Sequence, residues 1–262
     1  MADAVLVAQS EAVRTLTLNN PETLNALTLG ATRVLADRLE EAAADPETRV
    51  VIITGAGKAF SAGGDIGFLQ ALPAMAPDRL REVVYGAFQR VTRAIRAMDK
   101  PVIAAVNGAA MGAGCEIAVA CDFRIASEHA RFGEVWIKLG CVPALGGMFL
   151  LPRIVGLAKA MELVLTGETI DAAEALRIGL VNKVVPQSEV LAEARRWADI
   201  LAQRAPLAVR AAKEAATRGL TLSLSDGLAL ESELAGPVRR SADAVEGVKA
   251  FNEKRAPVFT GR

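Results

Sequence analysis

KPVIAAVNGAAMGAGCEIAVACD, residues Lys100–Asp122, runs from an uninterrupted apolar stretch through a glycine-rich turn into a segment of small residues. PVIAAVNG reads as a strand buried on both faces, because no polar residue alternates with its apolar ones. GAGCEIAVACD reads as a short helix packed closely through its small side chains. The same plan occurs upstream, where VVIIT (Val50–Thr54) leads through GAGK into AFSAGGDI (Ala59–Ile66). Further out, Val5–Ala8 and Val13–Leu18 read as strands, the latter alternating in VRTLTL, and a helix is expected from about Leu29 to Ala44, ended by Asp45-Pro46. Asp78–Met98 reads as a second long helix, and FRIAS and ARFG as two more short strands. Strands alternating with helices make an α/β fold with crossover connections.

From Leu150 onward the chain turns α-rich. Helical patterns recur at Ala158–Leu165, Asp171–Ile178, Glu189–Arg204, Pro206–Arg218, Leu222–Val238 and Ala242–Lys254, with one strand-like VNKVV among them. There is no internal repeat, low-complexity tract or long linker, so two subdomains of one compact unit are expected.

Composition removes several classes of function. Of the 262 residues 52% are hydrophobic, enough for one sizeable core. Lys+Arg and Asp+Glu both number 30, so no net charge draws the chain to nucleic acid or an anionic membrane. The N-terminal residues lack signal-peptide features, and no apolar run approaches the roughly 20 residues of a membrane helix. Cys115, Cys121 and Cys141 form no CxxC pair and read as buried reduced thiols of a cytoplasmic protein; no metal site suggests itself. His129, the single histidine, lies beside Glu128 in a polar stretch, a poor place for the base of a Ser-His or Cys-His mechanism. Carboxylates and backbone dipoles are left to carry any chemistry.

Each glycine-rich loop follows a strand and enters a helix. Such corners present unpaired N–H groups at the positive end of the helix dipole. Two of them, from neighbouring strands, can aim two donors at one oxygen and make an oxyanion hole. The alternatives at this level are plain tight turns, a dinucleotide site, for which neither loop has a complete GxGxxG, and a P-loop, for which GAGKAF lacks the GK[ST] ending.

The ordered set NNPETLNALT, GAGKAFSAGGDI, KPVIAAVNGAAMGAGCEIAVACDFRIAS, ARFG, LGCVPALGG, LPRIVG, LTGETIDAAEALRIGLVNKVV and SADAVEGVKAFNEKRAPVF resembles the enoyl-CoA hydratase/isomerase (crotonase) family from about residue 5 to the end. The C-terminal part is also similar to ring-isomerising enzymes of phenylacetyl-CoA degradation. The resemblance implies a spiral of ββα units over residues 1–195 and a helical subdomain over 196–262 that oligomerises and covers the CoA pocket, in a homotrimer or dimer of trimers. It implies an acyl-CoA thioester as substrate, with no cofactor beyond the CoA that the substrate carries. The backbone N–H groups of Gly64 and Ala113 would bind the thioester oxygen. Asn25, Ala26, Leu27, Ala62, Asp65 and Ile66 would lie along the CoA arm, and Lys254 would reach its nucleotide.

A hydratase of this family uses two glutamates. The first matches Glu116; the second falls at Trp136, and the acidic position of related isomerases falls at Ala144. An indole donates a hydrogen bond but takes no proton from water. Glu116 is thus the candidate acid/base, its plainer role being a helix N-terminal charge worth about 0.3–1 kcal/mol. Trp136 is expected to be core or to line the acyl pocket. If ARFGEVW is extended, Glu134 shares a face with Trp136 and stands as a substitute acid/base, against its plainer reading as a solvated side chain. The reactions left open are hydration, isomerisation or another enolate process such as decarboxylation, and non-catalytic acyl-CoA binding.

Overall fold

The computed structural model describes residues 3–262. β1 (Val5–Ser10) and β2 (Val13–Leu18) form an antiparallel hairpin, and β2 then opens a parallel series. Its members are β3 (Val50–Gly55), β5 (Val102–Val106), β7 (Phe123–Ser127) and β10 (Lys183–Val185), giving the order β1-β2-β3-β5-β7-β10. A second sheet stacks the short strands β4 (Ala59–Ser61), β6 (Ala109–Met111), β8 (Arg131–Gly133) and β9 (Ile170–Asp171) in that order. The chain therefore steps from large sheet to small sheet three times, β3 to β4, β5 to β6 and β7 to β8, with helices following each step. This is the spiral of ββα units expected from the resemblance.

Why β3 and β5 read as continuous apolar runs is plain from their packing. Every residue of both is buried, and successive side chains enter opposite cores. Val51, Ile53, Val102 and Ala104 join the larger core, together with α1 (Leu29–Ala44) and, further on, α4 (Gln89–Ala97) and α5 (Ala113–Ala120). Val50, Ile52, Ile103 and Ala105 face α9 (Val190–Ala202) through Val190, Ala194 and Ala198. Thr28 caps α1 by accepting the Ala31 amide.

Several elements differ from the sequence expectation. A helix after the first glycine-rich loop was expected, and α2 (Ile66–Ala71) is that helix, although it is short and the stretch beyond Asp65 carried no legible pattern. The expected helix Asp78–Met98 is a continuous helical run: α3 (Pro77–Val83), a π turn at Val84–Phe88, then α4. α6 (Gly147–Val155) was not expected, since Gly146-Gly147 opens it and Pro152 lies inside it. α7 (Leu157–Thr166), α8 (Ala172–Arg177), α10 (Pro206–Gly219), α11 (Leu224–Arg239) and α12 (Ala242–Asn252) occupy the expected stretches. The expected division at 195/196 lies within α9, whose apolar stripe continues on the sheet through Leu201 and Ala202.

α10 is tied to the core by Lys213, whose Nζ donates to Asp122 Oδ2 (2.7 Å) and to the Lys100 carbonyl (2.8 Å). Arg49, at the start of β3, donates to the carbonyls of Ala202 and Phe259, both at 2.9 Å, and so holds the C-terminal tail. Leu224, Leu228, Val245, Val248 and Phe251 leave apolar surface on α11 and α12. Among the described residues no helix is long and apolar enough to cross a membrane. Cys115 and Cys121 are buried, whereas Cys141 is only half-buried.

Candidate active site

The two glycine-rich corners meet. Leu27 pairs with Gly64 in an isolated parallel bridge: the Leu27 amide donates to the Gly63 carbonyl (2.7 Å) and the Asp65 amide to the Leu27 carbonyl (3.2 Å). In such a bridge Gly64's own N–H points to the opposite side. The second corner is close by: the Ala113 nitrogen lies 3.5 Å from where a Gly63 Cβ would be. Gly112 makes the corner possible, since its φ of 48° belongs to a region that side chains disfavour. Neither the Gly64 nor the Ala113 amide donates to another group among the described residues. Both remain as free N–H groups on adjoining turns.

α5 starts at Ala113, and its eight residues are all buried. That explains the small side chains of GAGCEIAVA: there is no solvent face, so close approach replaces amphipathic patterning. Glu116, in its first turn, is fully buried and accepts three hydrogen bonds. Its Oε1 takes the Trp136 indole N–H at 3.0 Å, while Oε2 takes the amides of Leu145 (2.7 Å) and Gly147 (2.8 Å). The Ala144 amide pulls on the carboxylate as well, so its roughly four acceptor positions are well supplied with donors. Only glycine fits at 147, where a Cβ would stand 2.9 Å from Glu116 Cγ. Burial lifts the Glu116 carboxyl to about 6, against the pull of the Gly147 and Leu145 amides and the indole.

One indole spans the whole arrangement. Besides its bond to Glu116, the Trp136 ring lies 3.2 Å from a Cβ position on Gly112 and 3.5 Å from one on Gly64. The Glu116 carboxylate and both corners therefore border the same side chain.

The extended reading of ARFGEVW is corrected: β8 stops at Gly133, and Val135–Leu139 is a 3-10 turn. The reading of Glu134 as solvated is also overturned. It is 1% exposed, sealed by that turn and by α5 and α6, and no nitrogen or oxygen donor reaches its carboxyl. Burial first, and then the charge of Glu116, push this carboxyl well above the usual range.

The other candidates divide. The Asn25 side chain is spent internally, donating to the carbonyls of Ala56 (2.9 Å) and Ala59 (2.8 Å) and accepting from the Asn20 amide, so it ties two loops together. Leu27 is buried and meets the site through its backbone; Ala26 is half-buried, and Ala62 and Ile66 are exposed at the rim. Asp65 caps α2 by accepting the Phe68 amide at 2.9 Å. Lys254 is exposed just beyond α12, at a φ of 55°. The amides of Leu145 and Gly147 were missed by sequence reading, since backbone donors leave no residue-type signature. Among the described residues no cluster of His, Cys, Asp and Glu suits a metal ion, and the His129 side chain stands out in solvent beside Glu128.

The profile of the enoyl-CoA hydratase/isomerase family matches residues 8–262. A crotonyl-CoA hydratase of Syntrophomonas wolfei is 42% identical over 260 residues, covering 98% of both chains. A short-chain-enoyl-CoA hydratase of Clostridium acetobutylicum is 41% identical over 253 residues, covering 96% of this chain and 95% of its own. The crystal structure of an enoyl-CoA hydratase from Bacillus anthracis superposes with a TM-score of 0.93 at 37% identity, covering 99% of this chain and 100% of the other. The chain belongs to the enoyl-CoA hydratase/isomerase family.

Proposed function

We propose that the protein is an acyl-CoA enzyme of the hydratase/isomerase type, in which the Gly64 and Ala113 amides hold the thioester oxygen and Glu116 moves the proton. The carrying observation is that a buried carboxylate and the two corners that carry the free amides border the same indole. Amides aimed at a thioester oxygen stabilise the enolate that forms when a proton leaves or a nucleophile adds. Each such donor is worth about 100- to 1,000-fold in rate. A carboxyl lifted to about 6 is ionised at neutral pH, yet basic enough to exchange protons with carbon or water. Trp136 orients Oε1 and closes the site over it.

The names of the relatives favour addition of water to a 2-enoyl-CoA. Trp136 favours a second reading, double-bond isomerisation, because the position where a second acid would share the water is filled by an indole. One base suffices to carry a proton between carbons of a bound enolate. No cofactor beyond the substrate's own CoA is called for. Assembly as trimers would cover the apolar surfaces of α11 and α12 and could bring Lys254 to a nucleotide.

The test is a panel of 2-enoyl-, 3-enoyl- and ring-containing CoA thioesters followed by mass spectrometry and NMR, run on wild type and Glu116→Gln. Turnover should vanish in the variant while thioester binding persists. Binding without turnover in the wild type would point instead to an acyl-CoA-binding protein.

A further inference from the structure

Glu134 is a carboxyl that the acid/base reading leaves idle. It is 1% exposed, and neither oxygen meets an N–H or O–H donor. The groups that face it are few. α5 contributes Glu116 and the Cys115 thiol, the titratable neighbours that act on it among the described residues. α6 contributes Gly147, and its own turn contributes Trp136, neither of them charged. A single point, the Cβ position of Gly147, lies 3.1 Å from Glu134 Oε1 and 3.1 Å from Glu116 Oε2. Two carboxyls thus surround one backbone position with no cation between them.

Their surroundings are opposite in kind. Glu116 receives three N–H donors, which suit an anion; Glu134 receives none, which suits a neutral acid. Charging both would set two anions around Gly147, and Glu134, with only the weakly donating Cys115 thiol beside it, would have little compensation for its lost hydration. Pairs of carboxyls driven apart in this way divide acid and base roles by environment.

We propose that Glu134 is held as a neutral carboxylic acid behind Glu116, a positioning residue whose bound proton keeps Glu116 the sole charge, and so the sole base, of the site. The proposal rests on the reading of Glu116 as the base. Its consequence is an alkaline limit set away from the substrate: when Glu134 ionises, repulsion loosens Glu116 from the Leu145 and Gly147 amides. The fold responds with the same sign. A carboxyl whose folded pKa is raised stabilises the native state fully below its unfolded value, and that contribution is lost as pH rises through the folded one.

The experiment is infrared difference spectroscopy of wild type against Glu134→Gln near neutral pH, joined to kcat/KM and thermal midpoints across pH. The wild type should show a buried protonated-carboxyl band that Glu134→Gln lacks. Glu134→Gln should keep kcat within about threefold near neutral pH, since no proton is exchanged with substrate, and should lose the alkaline fall in activity and stability. Absence of the band in wild type, an alkaline limb that persists in Glu134→Gln, or a loss of about 100-fold or more in kcat would overturn the proposal. Where Glu134→Gln folds poorly, Glu116→Gln is the second variant: the band should persist in it, because the proton sits on Glu134. Turnover that persists in Glu116→Gln sinks the base assignment instead, while the band still decides the protonation of Glu134.

Discussion

The two glycine-rich corners look alike in sequence and are built by opposite means. The first runs into α2, a six-residue helix with no buried residue, capped by the Asp65 side chain. The second runs into α5, buried along its whole length and started by Gly112 with no side-chain cap. The first corner is a rim element and the second is part of the core. On the proposed reading the base sits on the buried corner, while exposed Ala62 and Ile66 form the rim of the other.

By that contrast, substitutions at the second corner should damage turnover far more than those at the first. The largest effect is expected from Glu116→Gln, about 100- to 10,000-fold in kcat with little change in thioester binding, measured by steady-state kinetics and calorimetry. Gly114→Ala comes next. Its Cβ would meet the Ser61 carbonyl oxygen at 2.6 Å and Ser61 Cβ at 2.7 Å, so the two corners must separate. Overpacking of this kind costs about 1–3 kcal/mol in stability by denaturant titration, and kcat should fall with it.

Trp136→Phe keeps an aromatic ring but removes one donor to Glu116, a charge-assisted bond worth about 1.5–3 kcal/mol. That bond holds the carboxyl down. Without it the acid limb of kcat/KM, which should rise through about 6 in the wild type as Glu116 ionises, should move to higher pH. A limb that stays put would separate Glu116 from the indole. The smallest effect belongs to the first corner: Asp65→Ala should cost about 0.5–2 kcal/mol of local helix stability, read as amide exchange in α2, and raise KM more than it lowers kcat.

The sequence made the same distinction only in part. Strands with one uniform environment were plain, because VVIIT and VIAAV are buried on both faces and contain nothing else. The two-residue and three-residue strands β4, β6 and β9 are too short to carry a period, and α6 hides behind Gly146-Gly147 and Pro152. Glu116 was legible as a lone carboxylate beside a helix start. Glu134 was misjudged, because its burial comes from a 3-10 turn that alternation cannot signal and from α6, a neighbour brought up by later chain. The backbone donors from Leu145 and Gly147 belong to the same class of tertiary facts.

The position of Trp136 also gives the molecule an internal optical probe. The chain has two tryptophans, and Trp197 is far from this chemistry, edge-on to Phe123 with its N–H on Glu193. Only Trp136 touches the carboxylate and both corners. Its emission should therefore respond to the ionisation of Glu116 and to any thioester that enters, while Trp197 serves as a constant background in the same spectrum.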